Sequence, residues 1–256
     1  MSDYENIRCE TADGVATIQL ARPPVNVLNI ATMEELVAAL EAAGADDAVR
    51  VVALRGEGKC FSAGVDVGEH MGDMAPKMIA VFHRIFRVLD TLPQPTVAVV
   101  HKSVLGGGCE VAAACDMVLA SDNAKLGQPE IQVGVFPPVA AALFPRIMGL
   151  KKAFELVLTG AVIGAAEAQA LGLVNRVVPA DAFEEEAAAF LAGLASQSGA
   201  VLRITKKALR AGRFAGDYGA LETIEFIYLD ELMKTHDAHE GLGAFLEKRK
   251  PTWENR

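Results

Sequence analysis

The 256-residue sequence predicts an α/β fold with a helical layer at its C-terminal end. Short apolar runs alternate with helical stripes as far as about residue 178, the pattern of parallel βα units. From Asp181 onward only helical patterns remain. Hydrophobic residues make up 52% of the chain, enough to fill a sizeable core and to exclude a disordered chain.

Ile7–Glu10 and Val15–Leu20 pair as a hairpin around Gly14, with Ala16, Ile18 and Leu20 on one face. Arg22-Pro23-Pro24 ends the pairing, because proline has no N–H for a ladder. Thr32-Met33-Glu34-Glu35 has capping-box spacing and opens a helix whose stripe is Met33, Leu36, Val37 and Leu40. Val51–Leu54 is a short apolar strand, and Phe61–Val67 is a loop of small residues behind it. A helix spans Pro76–Leu92 with Ile79, Phe82, Ile85, Phe86 and Leu89 at helical spacing, and Pro93 and Pro95 end it. Strands follow at Thr96–Val100, Met117–Ala120 and Ala124–Gly127, then helices at Pro138–Arg146 and Lys151–Thr159, then a strand at Leu173–Val178. The tail reads as helices over 181–196, 200–211, 217–234 and 236–248.

Charge and cysteine content narrow the function. With 33 acidic against 24 basic residues, the net charge of −9 argues against a nucleic-acid surface. An anionic ligand must therefore be held by a local basic cluster or by backbone dipoles. Cys9, Cys60, Cys109 and Cys115 form no CxxC pair and have no metal-ligand spacing. His236 and His239 are three residues apart but lack a third ligand, so no metal is expected. Met1–Glu5 has no signal pattern, and no apolar run approaches the ~20 residues of a membrane span. The expectation is a soluble cytoplasmic protein with reduced thiols and no membrane partner.

The stretch most suggestive of chemistry is Leu105–Asp116. Gly106, Gly107 and Gly108 strip side chains from the backbone just before a helix of small residues, and Glu110 falls in its first turn. Free N–H groups at a helix start beside one acid can stabilise an oxyanion and move a proton. Glycine-rich turns are also common structural joints, so this motif alone decides nothing. No Gly-Lys-Ser/Thr follows the glycines, which excludes a phosphate-binding loop, and no Gly-x-Ser-x-Gly elbow of a serine hydrolase is present.

Three separated segments complete the reading: Phe61-Ser62-Ala63-Gly64-Val65-Asp66, Leu105-Gly106-Gly107-Gly108-Cys109-Glu110 and Gly127-Gln128-Pro129-Glu130. With Arg22-Pro23, Asn26 and Leu28 upstream, and Thr159-Gly160, Ala165–Gly172 and Leu173–Val178 downstream, the ordered set resembles the crotonase (enoyl-CoA hydratase/isomerase) superfamily along essentially the whole chain. The resemblance implies a crotonase-type spiral of ββα units over residues 1–196, holding a coenzyme A thioester site. It implies that residues 197–256 serve trimerisation and site closure, in a homotrimer or dimer of trimers. No cofactor is implied beyond the coenzyme A that the substrate carries.

The same resemblance assigns roles. The backbone N–H groups of Val65 and Gly107 would hold the thioester oxygen as it gains charge. Glu110 and Glu130 would flank one water, and like charges held close would push one pKa upward. Which glutamate is base and which is acid is left open. Arg22, Val25, Ala63 and Asp66 would line the coenzyme A and acyl path. His70 and Phe136 would border the acyl group, although a loop histidine also suits solvent. Lys250, within the basic run Lys248-Arg249-Lys250, would contact coenzyme A phosphates, if it is not simply a solvated terminus.

Straight-chain hydratases usually carry a Pro-Gly-x-Gly-Gly-Thr run after the second glutamate. This chain has Gly134-Val135-Phe136-Pro137-Pro138-Val139-Ala140, a stiffer and bulkier wall, and His101-Lys102 where relatives often have Asn-Gly. With Ser62–Val67 and His70 it looks most like the cyclohexa-1,5-diene-1-carbonyl-CoA hydratases of anaerobic aromatic degradation. The implied function is addition of water to an α,β-unsaturated acyl-CoA, with straight-chain hydration or double-bond isomerisation as alternatives. A non-catalytic coenzyme A- or RNA-binding scaffold is the alternative of another class. The intact glutamate pair and the net negative charge argue against it.

Overall fold

The computed structural model describes residues 4–212 and 221–256. β1 (Ile7–Ala12) and β2 (Val15–Leu20) form the antiparallel hairpin, Ile7 opposite Leu20. Asp13 and Gly14 turn it with φ of 52° and 81°, a two-residue turn whose twist suits the strands. β3 (Val51–Gly56), β4 (Thr96–Val100), β6 (Met117–Ser121) and β9 (Arg176–Val178) add in parallel, giving the order β1-β2-β3-β4-β6-β9. β4 is buried along its whole length, as expected of a parallel strand covered on both faces. Val52, Leu54, Ala98 and Val100 face the main core with α1 (Ile30–Ala45), α2 (Met74–Thr91) and α3 (Gly107–Ala114). The alternate residues Val51, Ala53, Val97 and Val99 pack with Phe183, Ala187 and Leu191 of α7 (Phe183–Ala195).

A second layer builds the site. β5 (Ser103–Leu105), β7 (Lys125–Gly127) and β8 (Val162–Gly164) form a three-stranded sheet, and single bridges Leu28–Val65 and Ser62–Val104 extend the same pairing. Successive turns of the chain thus lay one strand in the large sheet and one segment in the small layer: β2 with Leu28, β3 with Ser62–Val65, β4 with β5, β6 with β7. This is a spiral of ββα units, and its small layer gathers the loops that the sequence motifs occupy.

Several elements differ from the sequence reading. α1 begins at Ile30, and its N-cap is Asn29, whose Oδ1 accepts from the Thr32 N–H at 3.0 Å and the Thr32 hydroxyl at 2.7 Å. The Thr32–Glu35 box does not form. Leu28 is tied to Val65, so Asn29 is the first residue free to cap, and Glu35 instead accepts from the Asn6 N–H at 2.8 Å. β3 runs two residues past Leu54, whereas β9 covers only Arg176–Val178, because the Leu173 and Val174 N–H groups turn back to Ala168 O. β5, β8 and α6 (Ala165–Ala170) are new; each is too short to show a period.

Helices α4 (Pro138–Met148) and α5 (Leu150–Thr159) lie as expected, and the C-terminal region is helical, with α8 (Gly199–Gly212) and α10 (His236–Glu247). The helix read over 217–234 is described from Leu221 as α9 (Leu221–Phe226) followed by a π turn and a 3₁₀ turn to Lys234. Its residues 217–220 lie outside the described residues, as do residues 1–3 of the N-terminal stretch. Lys206 fastens α8 to the core by donating to Gln94 O at 2.6 Å and pairing with Asp116 at 2.5 Å. Buried Asp237 gathers the tail, accepting from the Ser198 hydroxyl and the Glu254 and Asn255 N–H groups. Among the described residues no single helix is long and apolar enough to cross a membrane.

Candidate active site

The site forms where β5 hands over to α3. Gly106 has φ +52° and ψ −133°, a conformation open to glycine, and its N–H donates to Gly127 O at 2.9 Å. The β5–β7 pairing therefore brings the Gly106–Glu110 turn beside Gln128-Pro129-Glu130.

Glu110 is 1% exposed. Its Oε1 accepts from the Val139 and Ala140 N–H groups at 2.7 Å each. Those donors are the first turn of α4, where Pro138 at the first helical position has no N–H to leave orphaned. Burial pushes the Glu110 carboxyl up to about 8; the Ala140 and Val139 N–H groups pull it down, and the nearby Glu130 charge adds to the rise.

Glu130 sits in the 3₁₀ turn Pro129–Val133 that follows β7 and is half-buried. Burial raises its carboxyl, while its own backbone N–H and the charge of nearby His70 lower it. Gln128 is fully buried and, with its amide nitrogen set toward the acid, donates to the two Glu130 oxygens at 3.2 and 3.1 Å. Glu110, pushed up to about 8, keeps its proton at neutral pH, and burial raises Glu130 beside it.

The two proposed oxyanion donors also meet. Leu28 N–H donates to Gly64 O at 2.8 Å and Asp66 N–H to Leu28 O at 3.0 Å, which turns the Val65 N–H to the opposite side. Gly64 has φ +108°, and a Cβ there would lie 3.6 Å from the Gly107 nitrogen. A Cβ on Gly107 would lie 2.5 Å from Val65 Cγ2. Among the described residues, neither the Val65 nor the Gly107 N–H has an acceptor. Two free N–H groups on touching loops, beside two protonatable acids, can polarise a carbonyl and shuttle a proton. Cys109 adds no nucleophile, because full burial pushes its thiol up and keeps it protonated.

The remaining candidates divide. Arg22, Val25 and Ala63 share one loop junction: Ala63 N–H donates to Val25 O at 2.9 Å, and Arg22 Nη1 to Val27 O at 3.3 Å. Asp66 spends its carboxylate on the Gly68 N–H at 2.9 Å, and its carbonyl meets His70 Nδ1 at 2.8 Å, which aims the other ring nitrogen away from that turn. Phe136 is 67% exposed on the loop before α4. Lys250 lies past α10, and no hydrogen bond or ion pair among the described residues ties it to the loops around the glutamates. The two histidines His236 and His239 go to different partners, Asp237 with Glu254 and Met233 O.

Sequence reasoning missed two organisers. Asn26 is buried at φ +54°, and its amide donates to Glu57 O, Cys60 O and Phe61 O at 3.0, 2.8 and 3.2 Å, pinning the upstream loop to the Val65 loop. Gln128 is the other. Both stand inside matched motifs, and the available signal was a polar side chain in a stretch otherwise destined for burial.

The family model for enoyl-CoA hydratase/isomerase matches residues 10–256. A cyclohexa-1,5-dienecarbonyl-CoA hydratase of Thauera aromatica is 40% identical over 242 residues, covering 93% of this chain and 92% of its own. A crotonyl-CoA hydratase of Syntrophomonas wolfei is 35% identical, covering 96% and 97%. The crystal structure of an enoyl-CoA hydratase subunit I from Geobacillus kaustophilus superposes with a TM-score of 0.93 at 34% identity, covering the whole of both chains.

Proposed function

The chain belongs to the enoyl-CoA hydratase/isomerase family, and from that premise we propose its reaction and its substrate. It is an enoyl-CoA hydratase, a hydro-lyase, and its acyl group is a cyclic dienoyl ring, cyclohexa-1,5-diene-1-carbonyl. The observation that carries the reaction is the glutamate pair: Glu110, raised to about 8 by burial and held on the N-terminus of α4, beside Glu130, held by Gln128.

The thioester oxygen sits between the Val65 and Gly107 N–H groups. A water between the carboxyls gives one proton to the charged glutamate as its oxygen bonds to the electron-poor alkene carbon. The displaced π electrons move onto the thioester oxygen, and the two N–H groups stabilise that enolate, by about 3–4 kcal/mol for each well-placed donor. The enolate then collapses and takes a proton at the α carbon from the protonated glutamate. One water has been added across the double bond, and one proton again resides on the pair.

The ring preference rests on the wall. Buried Pro137 and half-buried Pro138 fix φ where straight-chain relatives use glycines, and the Val139 and Ala140 backbone is further locked by Glu110. A stiff wall favours a flat ring whose position varies little. The 40% identity to the Thauera hydratase supports the same substrate class, which belongs to aromatic degradation.

Leu150, Phe154 and Leu158 leave an exposed apolar stripe along α5, and Phe245 and Leu246 do so on α10. These support a homotrimer or dimer of trimers, with residues 1–196 as the core and 197–256 as the assembling and site-closing region. In that assembly Lys250 would reach the coenzyme A phosphates of a neighbouring protomer. Four free thiols suit a cytoplasmic location.

The deciding experiment compares kcat/KM for cyclohexa-1,5-diene-1-carbonyl-CoA and crotonyl-CoA in oxygen-18 water. A preference for the ring by about tenfold, or ~1.4 kcal/mol of transition-state binding, is expected, with label in the product. A preference for crotonyl-CoA removes the ring assignment and leaves the hydratase. Shift of the double bond without label would make the enzyme an isomerase.

A further inference from the structure

An open groove of about 1360 Å³ runs behind the site between α2, α3, α4 and α8. Phe86, Ala113, Ala114 and Val139 are among its lining residues. Ala113 and Ala114 stand three and four residues after Glu110, on the same face of α3. Val139 is the residue whose N–H holds the Glu110 carboxyl. The groove therefore begins one side chain away from the reacting acid.

What separates the two spaces is a pair of rings. Phe82 is 2% exposed, and its Cε2 and Cζ lie 3.1 Å from the Cβ position of Gly107, so its edge rests on the oxyanion turn. Phe82 meets Phe86 edge-on, centroids 4.8 Å apart at 81°. Phe82 faces the reaction centre, Phe86 faces the groove, and the perpendicular contact makes the pair stiff.

We propose that Phe82 and Phe86 are specificity-determining residues: together they partition the acyl pocket from the groove, admitting compact acyl groups and rejecting long straight ones. The inference deepens the hydratase reading and rests on it. A ring or a four-carbon chain ends before the partition. A ten-carbon chain must cross it to reach the groove beyond, where Leu143, Ile147, Leu202 and Leu209 offer apolar contact among charged side chains such as Arg146 and Lys206.

The test is the ratio of kcat/KM for trans-2-decenoyl-CoA to that for crotonyl-CoA in wild type, Phe86→Ala and Phe86→Leu, with circular dichroism of each. Wild type should favour crotonyl-CoA, and Phe86→Ala should raise the ratio by about tenfold or more, with Phe86→Leu between them. Should Phe86→Ala fail to fold, Phe86→Leu decides. A ratio unmoved in the folded variants, or a wild type that hydrates both thioesters equally well, overturns the partition. A wild type that hydrates neither thioester nor the ring counts against the hydratase reading instead. The partition is then read by calorimetry with saturated decanoyl-CoA and butyryl-CoA, where the variants should gain affinity for the longer thioester alone and equal affinities would overturn it.

Discussion

Glu130 Oε1 stands 2.6 Å from the point that a Cβ on Gly106 would occupy. The first glycine of the run therefore leaves room for a carboxylate as well as turning the chain. Gly106→Ala should push Glu130 aside and also strain a backbone at φ +52°, at about 1–3 kcal/mol. Turnover should fall by ~10²-fold or more in a protein that still folds, as read by kcat beside a thermal melt. Wild-type kcat would mean that the position of Glu130 does not matter to the reaction.

Glu110→Gln and Glu130→Gln keep shape and remove the proton, so each should fold, bind coenzyme A thioester and lose at least ~10²-fold in kcat. Near-normal hydration by either variant rules out the two-glutamate mechanism.

Proton linkage gives Glu110 a signature in stability. Its carboxyl is raised from 4.5 to about 8 on folding, so the native state keeps a proton that the unfolded chain releases. Unfolding free energy should then fall as pH rises between about 4.5 and 8, and level off above. Urea titrations across that range should show the decline in wild type and a flatter profile in Glu110→Gln. The proposed mechanism consumes a proton held on the glutamate pair, so kcat/KM should decline above about pH 8, where Glu110 loses its own. A wild-type stability curve that climbs through this window would contradict the raised value.

Gln128 offers a separate handle on the second acid. Its amide nitrogen faces both Glu130 oxygens and favours their charged form. Gln128→Leu leaves burial unopposed by that donor, so the Glu130 carboxyl should rise further. The acidic limb of the kcat/KM profile should move to higher pH, with KM for the thioester little changed. An unmoved limb would make Gln128 a packing residue only.

The contrast between Glu110 and Asn29 measures what the sequence made legible. The hairpin, β4 and α2 carried strong local patterns, and the motifs brought both glutamates forward. The cap of α1 was misread, because Thr32 has the better local spacing while the Leu28–Val65 bridge sets where the helix starts. The partners of Glu110 lie 29 and 30 residues downstream on another helix, and no spacing rule tells which N-terminus will face which acid. β5 and β8 have three residues each, too few for alternation to register, and exist because of the strand beside them.

The proposed oxyanion turn can be probed without removing a donor. A methyl on Gly107 would lie 2.5 Å from Val65 Cγ2 and 3.1 Å from the Phe82 ring. Valine is stiff about its first side-chain torsion, so Val65 cannot simply swing away, and its backbone would shift with it. Gly107→Ala should therefore misplace the Val65 N–H and cost ~10–10² in kcat, the scale of one lost oxyanion donor or less. Val65→Ala keeps the N–H and removes the colliding carbon, so its own loss should be smaller. In the double variant the methyl on Gly107 has room, and much of the lost kcat should return. That recovery corresponds to a coupling of about 1–3 kcal/mol between the two sites. Strictly additive losses would place the collision on Phe82 instead, and would detach the Val65 side chain from the geometry of the turn.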